Sequence, residues 1–306
     1  IIATLDGRLI ALDAATGETI WTSFTIDAPE RRGVNADGVA GYGPAGGGIW
    51  SPLTVDPERG LVYVATGNGY ADPPQPTTDA VIAIDIDSGE HRWVNQLTPN
   101  DLWAAGCRPE NPDNPLCPET MGPDYDFSSP PTLVSVDGRG LLVLPQKSGL
   151  AHALDADTGE LVWQYRLGDG TGLGGQWGGA SDGVNAYIGV SDMTSPNPGG
   201  IHAIALASGE RVWYVPPSPL CADQPNCRPA QGAATTLIPG AVFSGALDGG
   251  MRAYSTDDGE LLWLFDTRRE FDTVNGVAAD GGSMDGPGAI VAGGMLFFNA
   301  GYGGFG

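Results

Sequence analysis

Two aspartates and one lysine stand out as residues that could do chemistry. Asp124 and Asp126 flank Tyr125 in Gly122-Pro123-Asp124-Tyr125-Asp126-Phe127. In an extended segment, residues i and i+2 point to the same side. Two carboxylates crowded there would raise one pKa unless a cation sat between them. A hard cation, which takes oxygen ligands, would satisfy both. The competing reading is an acidic surface turn, because Asp-x-Asp is common in an acidic chain. Lys147, in Pro145-Gln146-Lys147-Ser148-Gly149, is the only lysine; the other 13 basic residues are Arg. Its plain reading is an exposed hairpin lysine. Asn68, in Thr66-Gly67-Asn68-Gly69, has an equally plain reading as a turn residue, since Asn-Gly is a common turn pair.

The elements that must position these residues repeat along the chain. Leu9-Ile10-Ala11-Leu12-Asp13 leads through Thr16-Gly17-Glu18 to Trp21. The unit returns at Val81 to Trp93, Ala151 to Trp163, Ile201 to Trp213 and Met251 to Trp263, and in each copy a Gly stands four residues before the Trp. A short apolar run stopped by a turn signal reads as a buried strand. The Gly supplies the positive φ of a tight turn. The Trp is large enough to seal one sheet against its neighbour. Intervals between these Trp residues are 72, 70, 50 and 50 residues. About 50 residues suits one four-stranded propeller blade. The two longer intervals imply inserted loops, which tend to carry function. The expected fold is all-β, a single β-propeller domain over 1–306.

Composition agrees. The 306 residues include 48 Gly and 25 Pro, as a turn-rich all-β chain requires. The net charge of −23 leaves no basic face to neutralise phosphates, which excludes nucleic acid as a partner. No stretch approaches a membrane span. Four cysteines fall into two local pairs, Cys107 with Cys117 and Cys221 with Cys227, each in a Pro- and Asn-rich loop. Two loop-stapling disulfides and an oxidising compartment are expected. Neither pair has zinc-site spacing. The chain opens within a strand at Ile1 and stops at Gly306 soon after another, so it reads as a piece of a longer protein, incomplete at both ends.

Gly46-Gly47-Gly48-Ile49-Trp50 followed by Thr66-Gly67-Asn68-Gly69 resembles the quinoprotein alcohol dehydrogenases, and particularly their polyvinyl-alcohol-dehydrogenase-like branch. These proteins bind pyrroloquinoline quinone (PQQ) in an eight-bladed propeller. Gln96-Leu97-Thr98-Pro99, the 122–127 segment and Asp285-Gly286-Pro287 extend the resemblance over essentially the whole chain. About five of the eight blades would be present here. A carboxylate metal ligand, a vicinal disulfide and a closing blade would lie outside the chain.

The resemblance implies roles. Trp50 matches the indole floor beneath the flat quinone, and it lies outside the repeat position that accounts for five of the eight Trp residues. Asn68 matches an amide-oxygen ligand of the metal, Ca²⁺ or a lanthanide. Asp124 matches the catalytic carboxylate that takes the alcohol proton and also a metal-side position. Asp126 matches the extra oxygen ligand of lanthanide-using members. Lys147 matches a cation that holds the reactive carbonyl oxygens of PQQ, where it would stabilise developing negative charge. Gln176 stands where the family has Asn before Trp177, and both are cofactor-side positions; Asn275, on a connection after the last repeat, is a further one. The Cys107–Cys117 loop, just before Asp124, would border the substrate mouth. The implied activity is oxidation of an alcohol, secondary or polymeric alcohols included, with electrons passed to cytochrome c, in the periplasm or outside the cell. The competing reading is a non-catalytic propeller scaffold of the outer-membrane assembly type, which would have no reason to keep Trp50, Asn68, Asp124 and Lys147 together.

Overall fold

The computed structural model describes residues 1–35, 37–107, 117–170, 174–175, 177–196, 198–221 and 228–301. Among the described residues there are strands and turns and no helix, and hence no helix long and apolar enough to cross a membrane. The chain divides into two compact units. One comprises Ile1–Pro131 with Asp157–Glu160, the other Thr132–Ala156 with the chain from Leu161 onward.

The first unit holds a three-stranded sheet, Ile2–Ala3, Arg8–Leu12 and Thr19–Phe24, and a four-stranded one, Thr54–Asp56, Leu61–Ala65, Ala80–Asp85 and His91–Gln96. The second holds three four-stranded meanders. They run over Thr132–Val136, Arg139–Pro145, Leu150–Asp155 and Leu161–Arg166; then Ala180–Ser181, Asn185–Val190, Gly200–Ala205 and Arg211–Val215; then Thr236–Ile238, Ala241–Gly245, Gly250–Ser255 and Leu261–Asp266. All pairings within these sheets are antiparallel, the blade pattern that the repeats predict. The apolar runs are central strands: Leu61–Ala65 is buried at every residue, and Ala80–Asp85 at all but the last.

The repeat has one stereochemical plan. Its alanine pairs directly with its tryptophan: Ala11 with Trp21, Ala83 with Trp93, Ala153 with Trp163, Ala203 with Trp213, Ala253 with Trp263. A register shift follows that alanine in all five sheets. Such a bulge increases the local twist. Each turn is closed by its own residues. Asp13 Oδ1 accepts hydrogen bonds from the Ala15 and Thr16 amides and the Thr16 hydroxyl, and Asp85 does the same for Asp87 and Ser88. Those bonds lower both carboxyl pKa values.

The repeat glycine has a second reason to be glycine. A Cβ on Gly209 would lie 2.6 Å from the Trp163 indole, one on Gly89 2.7 Å from Trp21, and one on Gly159 2.5 Å from Trp93. Each indole therefore lies flat against the turn of the following repeat. Its N–H is satisfied there too: Trp21 Nε1 donates to Ile86 O, Trp163 Nε1 to Leu206 O and Trp213 Nε1 to Thr256 O, at 2.8–3.0 Å. Trp163 joins Leu141, Val143, Ile188 and Ile204 in one core cluster. Trp263 has no such cover among the described residues and is 40% exposed.

Trp163→Ala is expected to cost about 3–5 kcal/mol, the usual loss for a buried large aromatic, and Trp263→Ala less than half of that. Gly209→Ala, which forces a side chain into both a left-handed backbone (φ 73°) and the indole, is expected to destabilise by at least about 1–2 kcal/mol. Urea unfolding curves of the three variants check the order; equal losses at Trp163 and Trp263 would contradict it.

Candidate functional site

In the first unit, Trp50, Asn68 and Asp126 converge on Gly67. A Cβ there would lie 2.9 Å from Asp126 Oδ1 and 3.2 Å from Trp50 Nε1, so no other residue type fits between the indole and the carboxylate. The glycine run acts from the other side. Gly47 N donates to Asn68 O, Gly67 N donates to Gly48 O, and a Cβ on Gly46 (φ 109°) would lie 2.4 Å from Asn68 O. Close backbone crossing is what glycine permits, and it delivers Trp50 to Gly67.

Asn68 is 1% exposed. Its side-chain Nδ2 donates to Gly69 O at 2.6 Å and to Trp103 O at 2.7 Å. Two carbonyl acceptors fix which end of the amide is nitrogen. The oxygen is thereby left over, and it accepts no hydrogen bond among the described residues. Asp126, 7% exposed, accepts the Asn68 backbone N–H on Oδ1. An amide oxygen and a carboxylate are both of the ligand type that a hard cation takes. Among the described residues no cluster of three or more His, Cys, Asp or Glu could hold a metal.

Asp124 departs from expectation in one respect. Its φ is +66°, left-handed, so the segment is not extended there and strand alternation does not put Asp124 and Asp126 on one side. The cause is Asp101, fully buried, a residue that motif reading passed over. Asp101 Oδ1 accepts Asp124 N at 3.1 Å and Oδ2 accepts Tyr125 N at 2.6 Å. Its carbonyl accepts Gly69 N, and Gly122 N donates to the neighbouring Leu102 O. The 101–103 segment thus ties the Asn68 strand end to the Asp124 loop. In sequence Asp101 is one acidic residue among 37, two positions beyond the Gln96–Pro99 motif, and only its contacts reveal it. Cys107 and Cys117 form the expected disulfide, with Cα atoms 5.4 Å apart. Cys221 is disulfide-bonded as well, and Cys227 lies outside the described residues.

In the second unit, Lys147 sits in the hairpin between Arg139–Pro145 and Leu150–Asp155 and is 8% exposed; an exposed hairpin lysine it is not. Gln146 organises the turn. Its carbonyl accepts Gly149 N and Gly175 N, and its Oε1 accepts the Ser148 hydroxyl at 2.6 Å. His152 Nε2 lies 3.3 Å from the same oxygen, and Gln164 Nε2 donates to His152 Nδ1 at 3.1 Å. Burial, with a smaller push from Arg166, lowers the His152 pKa to about 4. His202, buried and stacked on Tyr214 at 4.4 Å, is also lowered to about 4 by burial first and Arg211 second.

Trp177, also left-handed (φ 62°), donates its Nε1 proton to Asp285 Oδ1 at 2.8 Å. Burial raises the Asp285 pKa despite that bond. Asp285 belongs to a motif recognised in the sequence but had no role there; its partner is 108 residues away. Gln176 lies outside the described residues. Asn275 is on an exposed turn, where its Oδ1 accepts Val277 N, and no contact among the described residues joins it to Trp177 or Lys147.

The sequence profile of the glucose/ethanol/alcohol dehydrogenase β-propeller domain matches residues 2–111, and that of outer membrane protein assembly factor BamB matches residues 78–175. In fold the chain is similar to a quinohemoprotein alcohol dehydrogenase from Comamonas testosteroni, with TM-score 0.55 and 16% identity over 96% of this chain and 60% of that one. A europium-containing methanol dehydrogenase superposes with TM-score 0.54 and 18% identity over 94% of this chain and 68% of that one. The chain resembles the PQQ β-propeller family of quinoprotein alcohol dehydrogenases. It is 43% identical to a polyvinylalcohol dehydrogenase of a Pseudomonas species, over 97% of this chain and 47% of that protein. Another polyvinylalcohol dehydrogenase, from Sphingopyxis strain 113P3, is 39% identical over 97% of this chain and 47% of its own length. The chain spans about half the length of these relatives.

Asp101→Ala leaves two backbone N–H groups without their acceptors and is expected to cost about 1–3 kcal/mol in urea unfolding; an unchanged midpoint would remove the anchoring role. For the histidines, the folded pKa lies below the unfolded 6.5, so their neutral forms are what the fold holds. Stability is full above about pH 6.5 and falls as the pH drops toward 4, by up to about 3 kcal/mol for each histidine. Replacing His202 by Phe, which keeps a ring on Tyr214, is expected to remove about half of that slope, as read from melting temperatures between pH 7 and 4.5.

Proposed function

We propose that the full-length protein is a PQQ-dependent alcohol dehydrogenase. The observation that carries this reading is the pair formed by the fixed Asn68 amide oxygen and the buried Asp126 carboxylate, meeting Trp50 at Gly67. An oxygen-donor pair beside an aromatic plane fits a metal-bound flat quinone. PQQ, when bound, supplies the hydride acceptor for the alcohol carbon.

The chain's own residues divide the remaining work. Trp50 offers its indole face as a stacking platform. Asn68 and Asp126 would contribute oxygens to Ca²⁺ or a lanthanide, and Asp126 adds the negative charge that favours a trivalent ion. Asp124 is the general base and takes the substrate hydroxyl proton. The Asp101 carboxylate holds the Asp124 backbone and limits where that base can stand. The Lys147 ammonium, borne on a turn locked by Gln146, stabilises negative charge developing on a carbonyl oxygen. Gln176, Trp177 and Asn275 are assigned to the cofactor side with Asp285 as the Trp177 partner. The substrate is an alcohol that includes secondary alcohols of a polymer chain, in keeping with the name of the relatives that share 43% and 39% of their aligned residues. Electrons leave to a cytochrome c. The Cys107–Cys117 disulfide supports a periplasmic or secreted location.

The test is dye reduction by the full-length protein with simple alcohols and polyvinyl alcohol, given PQQ with Ca²⁺ or with a lanthanide. Turnover is expected only with PQQ. Asp124→Asn is expected to retain PQQ binding and lose about 10²-fold or more in kcat, whereas Trp50→Ala weakens PQQ binding. An Asp124→Asn enzyme at full rate would remove the base assignment, and absence of PQQ binding with either metal would overturn the enzyme reading.

A further inference from the structure

The first unit carries a groove of about 1030 Å³ that none of the site residues lines. Ligand pockets for drug-sized molecules run to roughly 300–1,000 Å³, so this one far exceeds what a simple alcohol fills. Phe24, Tyr42 and Tyr70 line it and are 57%, 56% and 44% exposed. Pro29, Pro44 and Pro76 add flat apolar surface. Isolated exposed aromatics need no explanation, but several gathered on one concave surface mark a binding site.

The groove's polar groups suit a neutral, hydroxyl-bearing ligand. Asp6 and Arg8, both lining it, are paired at 2.7 Å and cancel each other's charge. The Tyr42 and Tyr70 hydroxyls, Thr77 and the Gln75 amide supply uncharged donors and acceptors, and Asp27 is the one further acidic residue of the lining, which disfavours an anion. A polyanion would meet a chain of net charge −23 and no unpaired arginine in the groove. A ligand that alternates CH₂ with CHOH would place its methylenes on rings and prolines and its hydroxyls on those polar groups.

Position ties the groove to the site. Gly46 and Tyr70 line it, and the short pair Ala45–Gly46 with Gly69–Ala71 forms its floor next to Asn68, whose carbonyl accepts the Gly47 amide. A chain lying in the groove is thus one strand pair from the metal-side residues.

We propose that this groove is an accessory subsite for an extended, uncharged polyhydroxylated chain, which it holds while one of its secondary alcohols reacts. The inference rests on the alcohol dehydrogenase reading above. The test uses the full-length protein and two readouts. The first, independent of PQQ, is retardation in native gels containing polyvinyl alcohol. Wild type is expected to be retarded, and Phe24→Ala/Tyr42→Ala to lose the retardation; Tyr42→Phe, which keeps the ring, is expected to retain most of it. The second is dye reduction by the PQQ-loaded enzyme. The double variant is expected to raise KM for polyvinyl alcohol at least tenfold and leave KM and kcat for 2-propanol unchanged. Equal retardation of wild type and double variant, or an unchanged polymer KM, would overturn the subsite. Loss of activity on both substrates alike would also overturn it, since a polymer subsite spares the small alcohol. If wild type oxidises neither alcohol with PQQ, the dehydrogenase reading fails, and the gel readout still decides whether the groove holds the polymer.

Discussion

The contact on which this structure depends is an indole laid on a glycine. In the first four repeats the Trp ring covers the turn of the repeat that follows, and the N–H of Trp21, Trp163 and Trp213 donates to a backbone carbonyl within that turn. The contact needs three things together: a large flat side chain with one donor, a residue with no Cβ beneath it, and a carbonyl left unpaired by the turn. Any side chain at Gly89, Gly159 or Gly209 would occupy the volume of the indole. Any smaller ring would leave the carbonyl unsatisfied in a dry interface, which costs more than the hydrogen bond itself contributes. Repeat spacing follows from this geometry, because Gly and Trp must stay four residues apart to serve two neighbours at once.

Rigid sheets allow the loops between them to be irregular. The site residues all come from strand ends and connections: Asn68 after Leu61–Ala65, Lys147 after Arg139–Pro145, and Asp124 in a segment outside any strand. Buried polar residues hold two of these connections and a third nearby in sequence. Asp101 takes two amides from the Asp124 segment, Gln146 organises the Lys147 turn, and Asp192 accepts Asp169 N at 2.6 Å and Gly170 N at 3.2 Å. A buried carboxylate that accepts backbone N–H groups is stable in its charged form. It can therefore impose a left-handed backbone, such as that of Asp124, that the residue itself would not choose.

Polar satisfaction also decides chemistry at Asn68. An amide side chain presents either a donor or an acceptor, depending on what its other end bonds. Two carbonyls, Gly69 O and Trp103 O, claim the nitrogen, and the oxygen is left over. Buried histidines show the same logic in the opposite sense. His152, set between two glutamine side chains, serves as a neutral linker with its pKa lowered, which suits a structural role close to Lys147 better than proton transfer at neutral pH.

What the sequence determined by itself is whatever repeats or is covalently local. Five copies of one unit announce the sheets, their antiparallel order and the sealing role of the Trp. The apolar runs announce the buried strands, and the Cys107 to Cys117 spacing announces the local disulfide. Family-like motifs around Trp50, Asn68, Asp124 and Lys147 were also legible. Only the tertiary structure decided how those residues are held. That Lys147 is buried, that the Asn68 amide nitrogen is claimed by a distant carbonyl, that Asp124 is left-handed and that Trp177 meets Asp285 all follow from contacts between segments 20 to more than 100 residues apart. The motif logic for Asp124 and Asp126 assumed an extended backbone, a local rule that the distant carboxylate of Asp101 overrides. One acid among 37 carries no mark in sequence of where the fold will bring it. That depends on which amides lack partners when the loops close, and those are identified only once the sheets are in place.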